Sequence, residues 1–257
     1  MIMMENEVFD LIPRAELRGF INHFKKRIYI FTSIFVFGFI IGYPVSRIII
    51  EWLIESDGFK PDNVEIIILQ PMEVILLKLR MSVKIGVLFL LSTLILDLSW
   101  NGKNIINDAK RNFHHSENLN FGVILISATF SILLAFIGVI YSHEILIPTL
   151  LDYLSQDAST AGLSSTWRLQ SWIGFITGLY FSSIVGFQIP LLTILLLRSG
   201  VIDRAVIFEN RRALWFISLL FGAIVSPPDP LSLFLVGGPM LILLELSLIF
   251  DRIFFKE

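Results

Sequence analysis

Apolar residues in this chain fall in long unbroken runs, with polar residues gathered between them, rather than in the alternation of a half-buried strand. Six runs stand out, at residues 28–45, 74–98, 121–141, 171–197, 213–226 and 231–250. Most approach the roughly 20 residues that cross a bilayer as a helix. The pattern predicts an all-α polytopic membrane protein of six transmembrane helices, forming one domain over residues 1–257. Proline punctuates the runs. The first ends at Tyr43-Pro44, the fourth is interrupted by Pro190, and only Ser226-Pro227-Pro228-Asp229-Pro230 separates the fifth from the sixth. Proline cannot continue a helix and restricts the residue before it. Pro227, Pro228 and Asp229 are therefore expected to form a forced hinge between two antiparallel spans. The fifth run reaches roughly 21 Å at the helical rise, short of a ~30 Å hydrocarbon core.

Two shorter apolar stretches, Glu51-Trp52-Leu53-Ile54 and Glu65-Ile66-Ile67-Ile68-Leu69, cannot span. They are expected to lie at the membrane interface or to pack on the tops of the spans. Pro148 to Trp167 mixes apolar residues with Ser, Thr and Asp, and a short cap helix is expected there.

Composition agrees with the pattern. Apolar residues make up 55% of the chain, mean hydropathy is +0.77, and charged residues are 16%, against about a quarter in soluble domains. A net charge of −2 argues against a nucleic-acid partner. The absence of cysteine excludes disulfides and thiolate chemistry. Glu5, Glu7 and Asp10 ahead of the first run do not fit a cleavable signal. The placement of charge is more informative than its sum. Arg14, Arg18, Lys25, Lys26 and Arg27 precede the first run; Lys103, Lys110 and Arg111 follow the second; Arg198, Arg204, Arg211 and Arg212 follow the fourth. By the positive-inside rule, both termini are expected in the cytoplasm.

Polar groups inside the spans are candidates for function. Gln188 precedes Pro190, which frees a backbone carbonyl one turn earlier, so its carboxamide is expected to bond that carbonyl or another polar group. Glu245 is either functional or paired with a basic residue such as Arg252. Glu73, beside Pro71, is expected to be an interfacial carboxylate. The four histidines never pair with glutamate at the spacing of a helical zinc site. No nucleophile elbow or phosphate-cradling loop is present either. Neither enzymatic activity, a metal nor a cofactor is expected.

Several of these residues together form a known pattern. Ser226-Pro227-Pro228-Asp229, Pro239 ten residues beyond the aspartate and Glu245 six beyond that resemble the C-terminal part of the TatC family. That family supplies the substrate-receptor subunit of the twin-arginine protein translocase. Phe187-Gln188-Ile189-Pro190, Gly200-Val201-Ile202, Asn210-Arg211-Arg212, Gly138 to Pro148 and Pro71 with Lys78 also fit it.

The resemblance implies a concave, glove-like bundle of six helices. Such a subunit binds twin-arginine signal peptides of folded precursors, gathers single-span TatA- and TatB-type subunits, and assembles with further copies of itself in a larger complex. It assigns partner docking near Gln188, Glu245 and the hinge at Pro227, Pro228 and Asp229. For signal-peptide contact it implies Lys25 and Arg27 in the N-terminal tail and Glu117 in the first cytoplasmic loop. The sequence departs from the family here, with His23 where the tail motif has a glutamate and no proline between Asn101 and Asn120. A prokaryotic plasma membrane is the expected location, with a mitochondrial inner or thylakoid membrane as the alternative. Two other functions remain open at this point: a small solute or ion permease, and a degenerate structural scaffold of the same family.

Overall fold

The computed structural model describes residues 14–60, 64–109, 121–160, 165–199, 207, 209–225 and 230–254. Its helices, in chain order, are α1 (Arg14–Glu55), α2 (Glu73–Ala109), α3 (Phe121–Tyr141), α4 (Ile147–Thr160), α5 (Leu169–Gly186), α6 (Ile189–Ser199), α7 (Arg211–Val225) and α8 (Pro230–Phe254). Two strands, β1 (Val64–Ile67) and β2 (Ser165–Arg168), complete the described elements together with a 3-10 turn at Asp57–Phe59 and a π-turn at Ser142–Leu146. Pro227, Pro228 and Asp229 lie outside the described residues, as does Glu117.

The first expected span is the one most changed. α1 does not stop at Pro44 but runs 42 residues, through the proline, to Glu55. The stretch Glu51 to Ile54, expected at the interface, is thus the last turn of this helix. Proline removes one ladder hydrogen bond. Inside a packed apolar bundle, neighbouring helices and local hydroxyls support the backbone it leaves open. The carbonyl that Pro44 leaves open is that of Ile40, one turn earlier; nearby, the Ser46 hydroxyl donates to the Tyr43 carbonyl at 2.7 Å. Close packing on α2 holds the rest. A Cβ on Gly42 would lie 2.9 Å from the Ser82 Cα, and one on Gly38 would lie 3.0 Å from the Gly86 Cα. Small residues of this kind let two membrane helices approach backbone to backbone.

The second interfacial expectation also changes. Val64–Ile67 is a strand, paired in parallel with Ser165–Arg168 in the register Val64↔Ser165 to Ile67↔Arg168. A run rich in Ile and Val favours extended backbone, and two loops that meet at one end of the bundle satisfy each other's hydrogen bonds. The cap helix expected from Pro148 onward is present as α4. The π-turn carries α3 directly into α4 without a loop.

The fourth run is two helices. α5 ends at Gly186 and α6 begins at Ile189. The Phe187 and Gln188 amides bond back to Ser183 and Val185, and the Gln188 carbonyl accepts from Leu192. Pro190 sits in the first turn of α6 and needs no partner there.

The main core lies beneath the cap. Leu53, Leu146, Leu150, Ile173 and Ile176 are buried there with Trp172, whose indole N–H donates to the Phe59 carbonyl at 2.9 Å. A smaller cluster of Ile95, Leu98 and Leu195 joins α2 to α6. Large apolar side chains also cover the outside, among them Ile132 and Phe136 on α3, Phe216 and Ile224 on α7, and Ile242 on α8. Such an apolar exterior suits lipid rather than water. Among the described residues, four stretches are long and apolar enough to cross a membrane: Lys25–Glu55, Ile124–Gln156, Leu169–Leu197 and Leu233–Ile253.

The glycine contacts give a direct test. A Cβ on Gly138 would lie 2.9 Å from the Ser183 carbonyl oxygen on α5, whereas one on Gly122 meets nothing within 4 Å. Gly138→Ala is expected to destabilise the protein by about 1–3 kcal/mol through overpacking, read as a lower unfolding midpoint in detergent. Gly122→Ala is expected to leave that midpoint unchanged or raise it.

Candidate functional site

Polar side chains tie the helices together in pairs. At the end of the bundle where α1 begins, the Arg27 guanidinium pairs with the Asp97 carboxylate of α2. Asp97 is almost enclosed, its side chain 7% exposed, while that of Arg27 is 37% exposed. Lys25, two residues earlier and about half a helical turn round, is exposed. The geometry therefore separates the two basic residues expected at the signal peptide: one faces outward and the other faces an internal carboxylate.

Midway along the bundle, the Lys84 ammonium of α2 donates to the Thr177 hydroxyl at 3.0 Å and the Gly174 carbonyl at 3.3 Å, both on α5. Gln188 occupies the break between α5 and α6 and is 3% exposed. The Ser131 hydroxyl of α3 donates to its Oε1 at 2.8 Å, and its Nε2 donates to the Ser131 carbonyl at 3.1 Å. Both ends of the carboxamide are thus used on one neighbouring helix. The helix break places Gln188 there, because its backbone caps α6 while its side chain reaches across.

Glu245 on α8 pairs with Arg211 of α7, not with Arg252. Arg211 approaches Oε1 through Nε at 3.3 Å and Oε2 through Nη2. The Trp215 indole N–H donates to Oε1 at 2.6 Å. Arg252 lies two turns away on the same helix and is exposed, whereas Arg211 begins the helix packed directly against α8. Trp215, Leu241, Ile242, Glu245 and Leu246 line a shallow open groove here. One carboxylate therefore stands at an otherwise apolar surface with its charge compensated. Helices α7 and α8 touch along their length. A Cβ on Gly222 would lie 3.0 Å from the Gly237 backbone.

At the opposite end, Glu73 opens α2. Its Oε1 accepts from Arg168 Nε at 2.8 Å and from the Leu69 and Gln70 amides at 3.1 and 3.0 Å. The residue is 1% exposed, and its Oε2 makes no hydrogen bond. Expected as an interfacial carboxylate, it is instead the buried clamp that fastens β2 to the start of α2. Burial pushes its carboxyl up. The Arg168 bond, the Gln70 and Leu69 amides and the charge of Arg168 together outweigh burial and hold it below the usual carboxylate range. Asp97, Ser131, Arg168, Thr177 and Trp215, all partners here, were not singled out from the sequence. Asp97 carried a usable signal: a carboxylate inside an expected span implies a partner.

The clamp has a pH signature. A depressed folded value stabilises above the ordinary value of 4.5 and is lost as pH falls through the folded one. Protection of the β1–β2 amides from hydrogen exchange is therefore expected to be full at neutral pH and to fall on acidification below the usual carboxylate range. Glu73→Gln is expected to lower that protection at neutral pH and to flatten its pH dependence.

Similarity to known proteins spans this whole arrangement. The family model described as Sec-independent protein translocase protein (TatC) matches residues 19–239. The Sec-independent protein translocase protein TatCy of Bacillus subtilis is 26% identical over 247 residues, covering 96% of this chain and 92% of its own length. The TatC protein of Listeria innocua is 25% identical over 233 residues, 91% of this chain and 90% of its own. A crystal structure of a TatC twin arginine translocase receptor shares the fold with a TM-score of 0.68 at 23% identity, covering 91% of this chain and 98% of that one.

Proposed function

The chain belongs to the Sec-independent protein translocase (TatC) family, and from that premise we propose that it is the receptor that binds twin-arginine signal peptides of folded precursors and assembles the translocon around them. The observation that carries this reading is the family match over residues 19–239, with TatC relatives aligned along nearly the whole chain. The chain is a transport component rather than an enzyme, and its apolar exterior suits a multi-pass membrane protein.

The proposed topology has six spans and both termini in the cytoplasm, in a prokaryotic plasma membrane. The basic residues of α1, of the α2–α3 connection and of the α6–α7 connection then lie on one side. The β1–β2 cap lies on the other. α7 has 15 residues, about 22 Å at the helical rise, a mismatch relieved by local thinning of the bilayer or by snorkelling of flanking residues. Beside it, the groove at Glu245 offers a compensated carboxylate and the Trp215 ring to a single-span TatA- or TatB-type helix. Such a helix would bring a polar side chain into an apolar surface. Gln188 serves a different part of this scheme. Its amide fixes the break in the α5–α6 helix against α3, which sets the inward bend of a concave bundle. By the same charge argument, the connection between α7 and α8 is proposed to lie on the outer face, and further copies of the chain to join in the assembled complex.

The signal peptide is proposed to dock on the cytoplasmic ends of α1 and α2 and on the loop that carries Glu117, with Lys25 and Arg27 at its edge. Paired guanidinium groups favour carboxylates through charge-assisted, often bidentate hydrogen bonds. The intact protein, purified in detergent with a folded precursor bearing a twin-arginine signal, is expected to retain that precursor. Retention is expected to fall about tenfold when both arginines are replaced by lysine, and to weaken on Glu117→Ala. Absence of retention by the intact chain would contradict the proposal.

A further inference from the structure

A receptor for arginine pairs needs carboxylates, yet the tail motif of this chain presents His23 and three basic residues, Lys25, Lys26 and Arg27. Of the described carboxylates that hold a guanidinium, one faces the basic tail motif of α1. Asp97, on the predicted cytoplasmic end of α2, is paired with Arg27 of α1. We propose that Asp97 is the carboxylate that receives a signal-peptide arginine, and that Arg27 is an internal stand-in for that arginine, displaced when the peptide binds. This rests on the receptor reading above and names a specificity residue for it.

The geometry fits such an exchange. Arg27 is partly exposed, so the internal guanidinium can swing into water, while Asp97 is enclosed at 7% and stays in place. Removing a guanidinium from a nearly buried carboxylate without replacement is unfavourable, because the buried charge loses compensation. A second guanidinium entering as the first leaves keeps the site compensated throughout. The exchange is therefore close to neutral in charge and selective for groups with the same planar fork. Lysine offers a point charge without that fork and is a poorer substitute.

The surroundings match the rest of such a ligand. Trp100, three residues after Asp97 and on the same side of α2, is 57% exposed. Ile30, three residues after Arg27 on α1, is 52% exposed. An exposed indole beside a carboxylate can take the face of a guanidinium. The apolar surface next to it can take the hydrophobic segment that follows the basic residues of a signal peptide.

The competing role is a brace: the pair would only hold α1 against α2. The two roles predict opposite signs for one variant. Binding of fluorescent signal peptides carrying either an Arg-Arg or a Lys-Lys pair is measured on the full chain in detergent, for wild type, Arg27→Gln and Asp97→Asn. Unfolding midpoints are recorded alongside. Exchange predicts that Arg27→Gln binds the Arg-Arg peptide several-fold more tightly, since its competitor is gone. It also predicts that Asp97→Asn loses about tenfold in affinity for that peptide and most of its preference over Lys-Lys. Equal weakening in both variants with the preference intact, or unchanged affinity in Arg27→Gln, overturns the proposal in favour of a brace. A wild-type chain that binds neither peptide overturns the receptor reading itself, and this assignment with it.

Discussion

Every polar group carried into an apolar bundle must find its partner inside the protein, and this constraint organises the molecule. Hydrocarbon offers no competing water, so a lone charge or amide there is costly. The chain answers with side chains that reach between helices. Arg27 and Asp97 join α1 to α2, and Lys84 with Thr177 and Gly174 joins α2 to α5. Ser131 and Gln188 join α3 to the break before α6, and Tyr141 donates to the Leu235 carbonyl to join α3 to α8. Arg211 and Trp215 with Glu245 join α7 to α8. Glycines set the spacing at which these ties close. Gly38, Gly42 and Gly138 stand where a neighbouring backbone leaves no room for a side chain. Dispersion and polar ties, rather than the hydrophobic effect, hold such helices together.

The apolar runs were readable because lipid imposes a length on them, and their described residues are mostly helical, the fourth run with a break at Phe187 and Gln188. The ends were less readable. Pro44 looked like a stop, yet α1 continues through it because close packing on α2 supports the turn that a lone helix would lose. Glu65 to Leu69 looked interfacial because a four-residue strand has no meaning until its partner at Ser165–Arg168 is brought beside it from a hundred residues away. Partner identity was the least legible. Sequence alone suggested Arg252 for Glu245, since only neighbours along the same helix are visible before folding. Arg211 became available only when α7 packed on α8. Gln188 was legible as special through Pro190, but its bond to Ser131 required the position of α3.

The ties differ in what they leave accessible, and this divides structural from functional surfaces. Gln188 and Glu73 are closed off: one ties the break before α6 to α3 and the other fastens the cap. Glu245 lies in an open groove, and Arg27 sits half outside the pair it makes. A partner helix or a peptide can meet these two places without unfolding anything. They lie on different helices, α7–α8 and α1–α2, so the peptide recognition and partner docking proposed above would use separate surfaces on one frame.

The central claim is that a signal peptide docks at the α1–α2 end of the bundle. Site-specific photo-crosslinking tests it most directly, with a crosslinking amino acid at Trp100 and, separately, at Leu69 beside the outer cap. The account predicts that a twin-arginine precursor added to inverted membrane vesicles crosslinks at position 100, depends on its arginine pair, and leaves position 69 unlabelled. Crosslinking at position 69 first, or at position 100 regardless of the arginines, would contradict it.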